Sequence, residues 1–221
     1  MLQIENLHVS IQTVEVLRGV TLQLPEGQMA GIIGRNGAGK TTLMRSIMGL
    51  LPIRSGSLRF NGEMLTGLPA HRRAGLGIGY MPEDRRLVPQ LTAEENILSP
   101  AWALGAGSAH ERLQKIYTMI PETEAFASRK ALQLSGGQQK LVAIARALMA
   151  GSRLILLDEP FEGVAPALSK RIAEVIASLR TEGFSILLSG SDLQHSADLL
   201  EQIYHIERGE VSLLPAKEKT T

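Results

Sequence analysis

Cysteine is absent from this chain of 221 residues, which excludes disulfides and thiolate metal sites and leaves the thiol count silent about compartment. A surplus of charge of either sign is missing too. Lys and Arg number 23 against 22 Asp and Glu, a formal charge of +1, so electrostatics make no case for nucleic acid or an anionic membrane surface as the main partner. No uninterrupted apolar run approaches the roughly 18–20 residues that span a bilayer. The most apolar stretch, Leu141–Ala150, is short and carries Arg146. The chain does not open on a basic segment followed by an apolar core and a small-residue cleavage site, so no export signal is expected. The default compartment is the cytoplasm, with any membrane role reached through a partner. What is present, 44% hydrophobic and 20% charged residues, is ordinary for a globular protein long enough to bury a sizeable core.

Alternating segments Leu2–Val9 and Val16–Leu24 read as strands with one buried face, and Met29–Ile33 as a fully buried strand. A Gly-rich turn leads into a helical stretch near Gly39–Gly49, followed by short strands at Gly56–Phe60 and Ile78–Met81 with an Asn61-Gly62 turn between them. From about Glu94 to Ala131 apolar residues recur at helical spacing, as in Leu113, Ile116, Tyr117 and Ile120. This stretch reads as a helical insert. A helix from about Gly137 to Ala150, a buried strand Leu154–Leu157, a helix from Pro166 to about Glu182 and a strand Phe184–Ser189 follow. A short helix from Leu193, a hairpin around Arg208-Gly209-Glu210 and a polar tail complete the chain. Strands alternating with helices predict an α/β sheet with an added helical lobe.

Three motifs carry chemistry. Gly34-Arg35-Asn36-Gly37-Ala38-Gly39-Lys40-Thr41-Thr42 fits G-x-x-x-x-G-K-[ST] between a buried strand and a helix. Its glycines let successive amides point inward to cradle phosphate oxygens, beside the positive end of the helix dipole. Lys40 adds a mobile point charge for the β- and γ-phosphates, Thr41 a hydroxyl for Mg²⁺, and Thr42 a donor toward the α-phosphate. The strand Leu154–Leu157 delivers Asp158 and Glu159 at its carboxyl end, where ligands sit in a parallel sheet. Asp158 suits Mg²⁺, and Glu159 can reach a water opposite the leaving phosphate as general base or orienter. Leu134-Ser135-Gly136-Gly137-Gln138-Gln139 begins a helix with a hydroxyl and free amides, a second anion-binding terminus. One nucleotide does not need two such termini, so the second would serve a nucleotide held by another subunit.

In this order the phosphate loop, LSGGQQ and LILLDEP resemble the nucleotide-binding subunits of ATP-binding cassette (ABC) transporters over essentially the whole chain. RNGAGKTTLMRSIMGLLP, GIGYMPEDRRLVPQLTAEENI and DEPFEGVAP are similar to the importer subunits for branched-chain amino acids, with urea and short amides as relatives. The resemblance implies an α/β P-loop NTPase fold with a RecA-like core sheet, an N-terminal antiparallel β-subdomain and an inserted α-helical subdomain. Residues 1–82 and 150–214 would form the core and β-subdomain, 83–149 the helical subdomain and 215–221 a loose tail. ATP and Mg²⁺ are the implied ligands. The chain would pair head to tail with a second, non-identical cassette, with Ser135, Gly136, Gly137 and Gln138 closing over that partner's γ-phosphate. The cycle would drive two transmembrane permease subunits, gripped by a groove on the helical insert and fed by an extracytoplasmic solute-binding protein. That places the chain at the cytoplasmic face of the membrane, as a peripheral ATPase subunit.

Departures from the family pattern are as informative. Ile11 stands where an aromatic residue often stacks on adenine, which weakens that contact. Glu83 replaces the glutamine of the Q-loop and could join Thr41 and Asp158 on Mg²⁺. Ala165 ends a D-loop that ordinarily ends in Asp. Ser191 stands in place of the switch histidine and brings one hydrogen bond but no positive charge; His195, one turn onward, reads as a helix-surface residue rather than a substitute. Two further readings stand beside the motor subunit. One is a soluble ABC-type ATPase for translation or DNA repair, for which the chain has no room for a second cassette or long coiled coils. The other is a non-hydrolysing, ATP-dependent clamp that completes a partner's site. Elsewhere, His8, His71, His110 and His205 lack metal-ligand spacing and read as surface or packed residues. Arg72-Arg73 and Arg85-Arg86 read as a solvated face or subunit contact, and Trp102 as packing within the helical lobe. If the missing histidine slows this chain's own site, Ser191→His raises ATP turnover of the assembled complex several-fold; unchanged turnover would count against that cause.

Overall fold

Apolar and polar residues alternate along the first 24 positions, and the outcome is a hairpin with one buried face. Leu2, Ile4, Leu7 and Val9 of β1 (Leu2–Ile11) and Leu17, Val20, Leu22 and Leu24 of β2 (Val14–Leu24) are all inside. The ladder runs to an Ile11–Val14 pair, two residues further along each strand than the alternation suggested. The intervening turn, Gln12-Thr13, has none of the usual Asn-Gly chemistry, and Gln12 takes φ 54°. This computed structural model describes residues 1–105, 107–192 and 196–215.

The remaining elements are β3 (Met29–Ile33), α1 (Lys40–Ile47), β4 (Ser55–Phe60), β5 (Glu63–Met64), α2 (Ala70–Gly75), β6 (Ile78–Met81), α3 (Ala93–Leu104), α4 (Ala109–Met119), α5 (Pro121–Ala125), α6 (Gly136–Ala150), β7 (Leu154–Leu157), α7 (Pro166–Thr181), β8 (Ser185–Gly190), β9 (Gln202–Glu207) and β10 (Glu210–Leu213). They form an antiparallel sheet of order β2-β1-β4-β5 and a six-stranded sheet of order β10-β9-β3-β8-β7-β6. In the second sheet β9, β3, β8, β7 and β6 run parallel, and β10 is its antiparallel edge. The architecture is the expected α/β core with an N-terminal antiparallel sheet and a helical insert.

The parallel sheet is covered on both faces, which is why its strands are nearly continuous apolar runs. Leu154 and Leu156 of β7 point into a core shared with α1 and the antiparallel sheet. Ile155 and Leu157 point into the other, with α6, α7 and the helical lobe. In the lobe, Thr92 and Glu95 close a reciprocal cap on α3, which starts the helix just ahead of the Glu94 expected. A cleft of about 510 Å³ lies between α1 and α3, lined by Arg45, Met48, Leu50, Tyr80, Pro100 and Arg146 among others.

Two expectations fail here for physical reasons. Arg73 is not on a solvated face: it is 3% exposed, on the unforeseen helix α2. Its guanidinium donates to Leu68 O at 2.7 Å, Ser46 O at 2.7 Å and Ile47 O at 2.8 Å, so it caps the orphan carbonyls at the end of α1. Burial lowers its pKa from the ordinary arginine value. Trp102 does not pack within the lobe; it is 56% exposed, because α3 turns Ala93, Ile97 and Ala101 inward. Leu193 and His195 lie outside the described residues. Arg73→Met is expected to destabilise the fold by about 2–4 kcal/mol, since it strands buried carbonyls while keeping bulk; thermal or urea unfolding measures it.

Candidate active site

The phosphate loop leaves β3 at Gly34, whose amide donates to Gly190 O at 3.3 Å on the neighbouring strand. Gly39 caps α1 at φ 116°, a conformation that a residue with a Cβ would pay for in strain. The loop is fastened from outside by the β9–β10 hairpin, where Gly209 N donates to Ala38 O at 3.0 Å. Lys40, expected as a mobile charge, is 5% exposed and fully engaged. Its ammonium donates to Gly34 O at 2.6 Å and Arg35 O at 3.2 Å, and pairs with Glu159 Oε1 at 2.9 Å. Two loop carbonyls and one carboxylate therefore share this ammonium.

The two acids at the end of β7 have different surroundings. Asp158 is fully buried. Its Oδ1 accepts from the Ser189 hydroxyl at 2.6 Å and its Oδ2 from the Tyr80 hydroxyl at 3.2 Å. Burial raises the carboxyl above the usual aspartate value and these donors pull it back. Tyr80 is itself pushed upward, first by burial and then by Asp158, so it remains a neutral donor. Glu159 adopts φ 51°, a conformation that costs a non-glycine residue about 1–3 kcal/mol. Its amide donates to Ser189 Oγ at 3.1 Å, so one serine hydroxyl holds both acids. Ser189 and Tyr80 were missed in the sequence. Their signal was there: each is the lone polar side chain near the end of an apolar strand.

A pocket of about 260 Å³ is lined by Val16, Asn36, Gly37, Gly39, Lys40, Thr41, Thr42, Glu83 and Glu159. The fold thus gathers most of the loop with both Glu83 and Glu159. Glu83 is raised from the usual glutamate value, first by burial and then by Glu162, Asp158 and Glu159. Thr41, Asp158 and Glu83 are hard oxygen donors of the kind Mg²⁺ takes together with substrate phosphates, so the residues present fit that ion. Ile11 is not among the lining residues: it is 42% exposed at the hairpin tip. Val16 is the apolar side chain among the lining residues. Ser191 is exposed just past β8 and does not line the pocket either.

Ser135 caps α6 reciprocally: Gln138 N donates to its hydroxyl at 3.3 Å and its own amide donates to Gln138 Oε1 at 3.0 Å. Ser135 and Gly136 are exposed, so this helix start faces outward with first-turn amides that have no carbonyl one turn back. A Cβ at Gly137 would meet Leu168 Cδ2 of α7 at 2.6 Å, so the end of that leucine would have to shift to admit one. None of the four signature residues lines the 260 Å³ pocket.

The family model for the ABC transporter matches residues 17–162. The high-affinity branched-chain amino acid transport ATP-binding protein BraG of Pseudomonas aeruginosa is 33% identical over 211 residues, 96% of this chain and 91% of the relative. The lipopolysaccharide export system ATP-binding protein LptB of Haemophilus influenzae is 34% identical over 213 residues, 96% of this chain and 88% of the relative. Among solved structures, the dimeric post-hydrolysis state of the ATP-binding cassette MJ0796 bound to ADP and Pi matches with a TM-score of 0.87 at 26% identity, covering 98% of this chain and 100% of that one.

Ser189→Ala removes a donor from Asp158 and the acceptor of the Glu159 amide. It should cost about 1–3 kcal/mol of stability. Loss of a donor to the charged form raises the Asp158 pKa further, so the acidic limb of the ATPase pH profile is expected to move to higher pH. Melting curves and a pH–rate profile measure the two effects.

Proposed function

The chain belongs to the ABC transporter family and is an ATP-binding, ATP-hydrolysing cassette; from that premise we propose how its residues act and what they power. The phosphates of ATP lie over the start of α1, and the γ-phosphate takes Lys40 from Glu159. The carboxylate so released orients the attacking water and accepts its proton. Thr41 and Asp158, with Glu83 beside them, would hold Mg²⁺, which would supply positive charge to the phosphates. The observation that carries this reading is the buried Lys40–Glu159 pair at 2.9 Å inside the phosphate-loop pocket.

The Ser135 end of α6 is proposed to close over the nucleotide of a second cassette. The dimeric MJ0796 cassette with ADP and Pi supports that arrangement, and Ser191, Ala165 and Glu83 favour a non-identical mate with the stronger site. Two permease subunits would seat their coupling segments in the cleft between α1 and α3, which carries Arg45, Met48 and Leu50. Among the described residues no helix is long and apolar enough to cross a membrane, so the chain would sit peripherally at the cytoplasmic face. The transported solute is proposed to be a branched-chain amino acid or a related small polar solute such as urea or a short amide, delivered by an extracytoplasmic solute-binding protein. BraG supports this reading.

A second reading is favoured by Ser191, which brings no positive charge to the γ-phosphate: a clamp that binds ATP chiefly to complete the mate's site. One variant separates the two. Glu159→Gln in the assembled complex is expected to lower ATP turnover by about 100-fold or more with ATP binding retained. Turnover unchanged by that variant would leave the clamp. Cells lacking the chain should lose uptake of labelled leucine or valine; normal uptake would remove the solute assignment.

A further inference from the structure

One buried cation beside the site has no part in the reaction outlined above. Lys140 lies on α6, just past the first turn that Ser135 caps, and is 5% exposed. Its ammonium donates to Glu159 O at 2.9 Å and to Glu162 O at 2.7 Å. These two carbonyls bracket the turn that carries the Glu159 carboxylate, closed by Glu162 N donating to Glu159 O at 3.2 Å. The turn is the strained one, with Glu159 at φ 51°, so it holds its shape only where neighbours over-determine it. Ser189 grips its amide from β8, and Lys140 grips its carbonyls from α6.

Burying an ammonium is unfavourable unless strong acceptors compensate it, and the next two residues of α6, Leu141 and Val142, are buried and apolar. Packing alone therefore gives no reason for a lysine at this position. The same helix also holds the Glu83 loop. Arg146 donates to Arg86 O at 2.7 Å and Arg85 O at 2.5 Å, and Arg85 donates back to Gly136 O at 3.0 Å. Arg85 and Arg86 are both left-handed, at φ 61° and 47°. One rigid helix thus grips the loops of both acids that line the phosphate pocket.

We propose that Lys140 is a positioning residue that fixes the Glu159 turn to the signature helix, so that engagement of Ser135 by the second cassette's nucleotide and alignment of Glu159 on this chain's own nucleotide are one event. The inference rests on the catalytic reading of Glu159 and adds to it a coupling within the chain. A displaced α6 misaligns Glu159 through two hydrogen bonds, without touching the phosphate cradle.

The test uses the assembled complex, captured through this chain, and the full isolated chain for nucleotide affinity with a fluorescent ATP analogue. Lys140→Met is expected to lower kcat by about tenfold or more, because small misplacements of a catalytic group are costly in rate. Affinity of the isolated chain for the analogue should stay within about twofold, the signature of an effect on the chemical step. Lys140→Arg, which can still donate to both carbonyls, should recover most of the rate. Combining Lys140→Met with Ser135→Ala should cost less than the product of the two separate losses. Should Lys140→Met not fold, Lys140→Gln carries the same comparisons with its single amide. Turnover left intact in a complex that Glu159→Gln inactivates would overturn the proposal. So would parallel loss of binding and rate, a Lys140→Arg chain as poor as Lys140→Met, or fully multiplicative losses with Ser135→Ala. A complex still active with Glu159→Gln overturns the catalytic reading itself and this inference with it.

Discussion

The pairing of Lys40 with Glu159 constrains everything else in this molecule. Both side chains are 5% exposed and 2.9 Å apart, and burial makes each dependent on the other, since removing one partner of such a pair typically costs about 3–5 kcal/mol. A ligand that takes the ammonium must therefore bring negative charge of its own, as a triphosphate does. While Lys40 holds Glu159, the carboxylate is occupied; in the mechanism proposed above, phosphate takes the ammonium and leaves the carboxylate to a water, so that substrate binding and activation of the water would be linked before any catalytic step.

The sheet makes that pairing possible. Gly34, Asp158 and Ser189 are far apart in the chain, yet β3, β8 and β7 are adjacent and parallel, with Ile33 beside Gly190 and Leu157 beside Leu188. All three residues emerge at the carboxyl ends of neighbouring strands. Ser189 then bonds Asp158 and the Glu159 amide together, and Tyr80 approaches from β6 on the far side. Tyr80 also lines the cleft between α1 and α3. Its ring faces that surface while its hydroxyl touches the buried carboxylate.

What could be read from the sequence follows from where the information lies. The phosphate loop and Asp158-Glu159 are local: their chemistry needs a fixed spacing on one strand and turn, and spacing is visible in a string. The alternation that buries Leu2–Val9 and the apolar runs of β3 and β7 are local as well. Ser189 and Tyr80 stand out in the string only as polar side chains near strand ends, and the partners on other strands through which they act are not visible there. Arg73 shows the same limit for charge. A run of arginines reads as a solvated face because side-chain identity does not reveal a carbonyl 27 positions away, Ser46 O, that accepts from it.

That device recurs through the fold. Arg73, Arg112, Lys140 and Arg146 are all shifted downward in pKa, with burial the leading cause, and each donates to main-chain carbonyls. A carbonyl binds a cation without bringing a counter-charge, so the four cations are held without drawing on the carboxylates of Glu83, Asp158 or Glu159. Three of these cations belong to one helix or grip its end. Arg112 donates to Leu148 O and Gly151 O at the end of α6, Arg146 holds the Glu83 loop, and Lys140 holds the Glu159 turn. Arg146, Ala147 and Ala150 of the same helix also wall the cleft. The helix therefore joins that wall, through charge-assisted bonds, to the loops of both acids of the phosphate pocket and to the exposed Ser135 end.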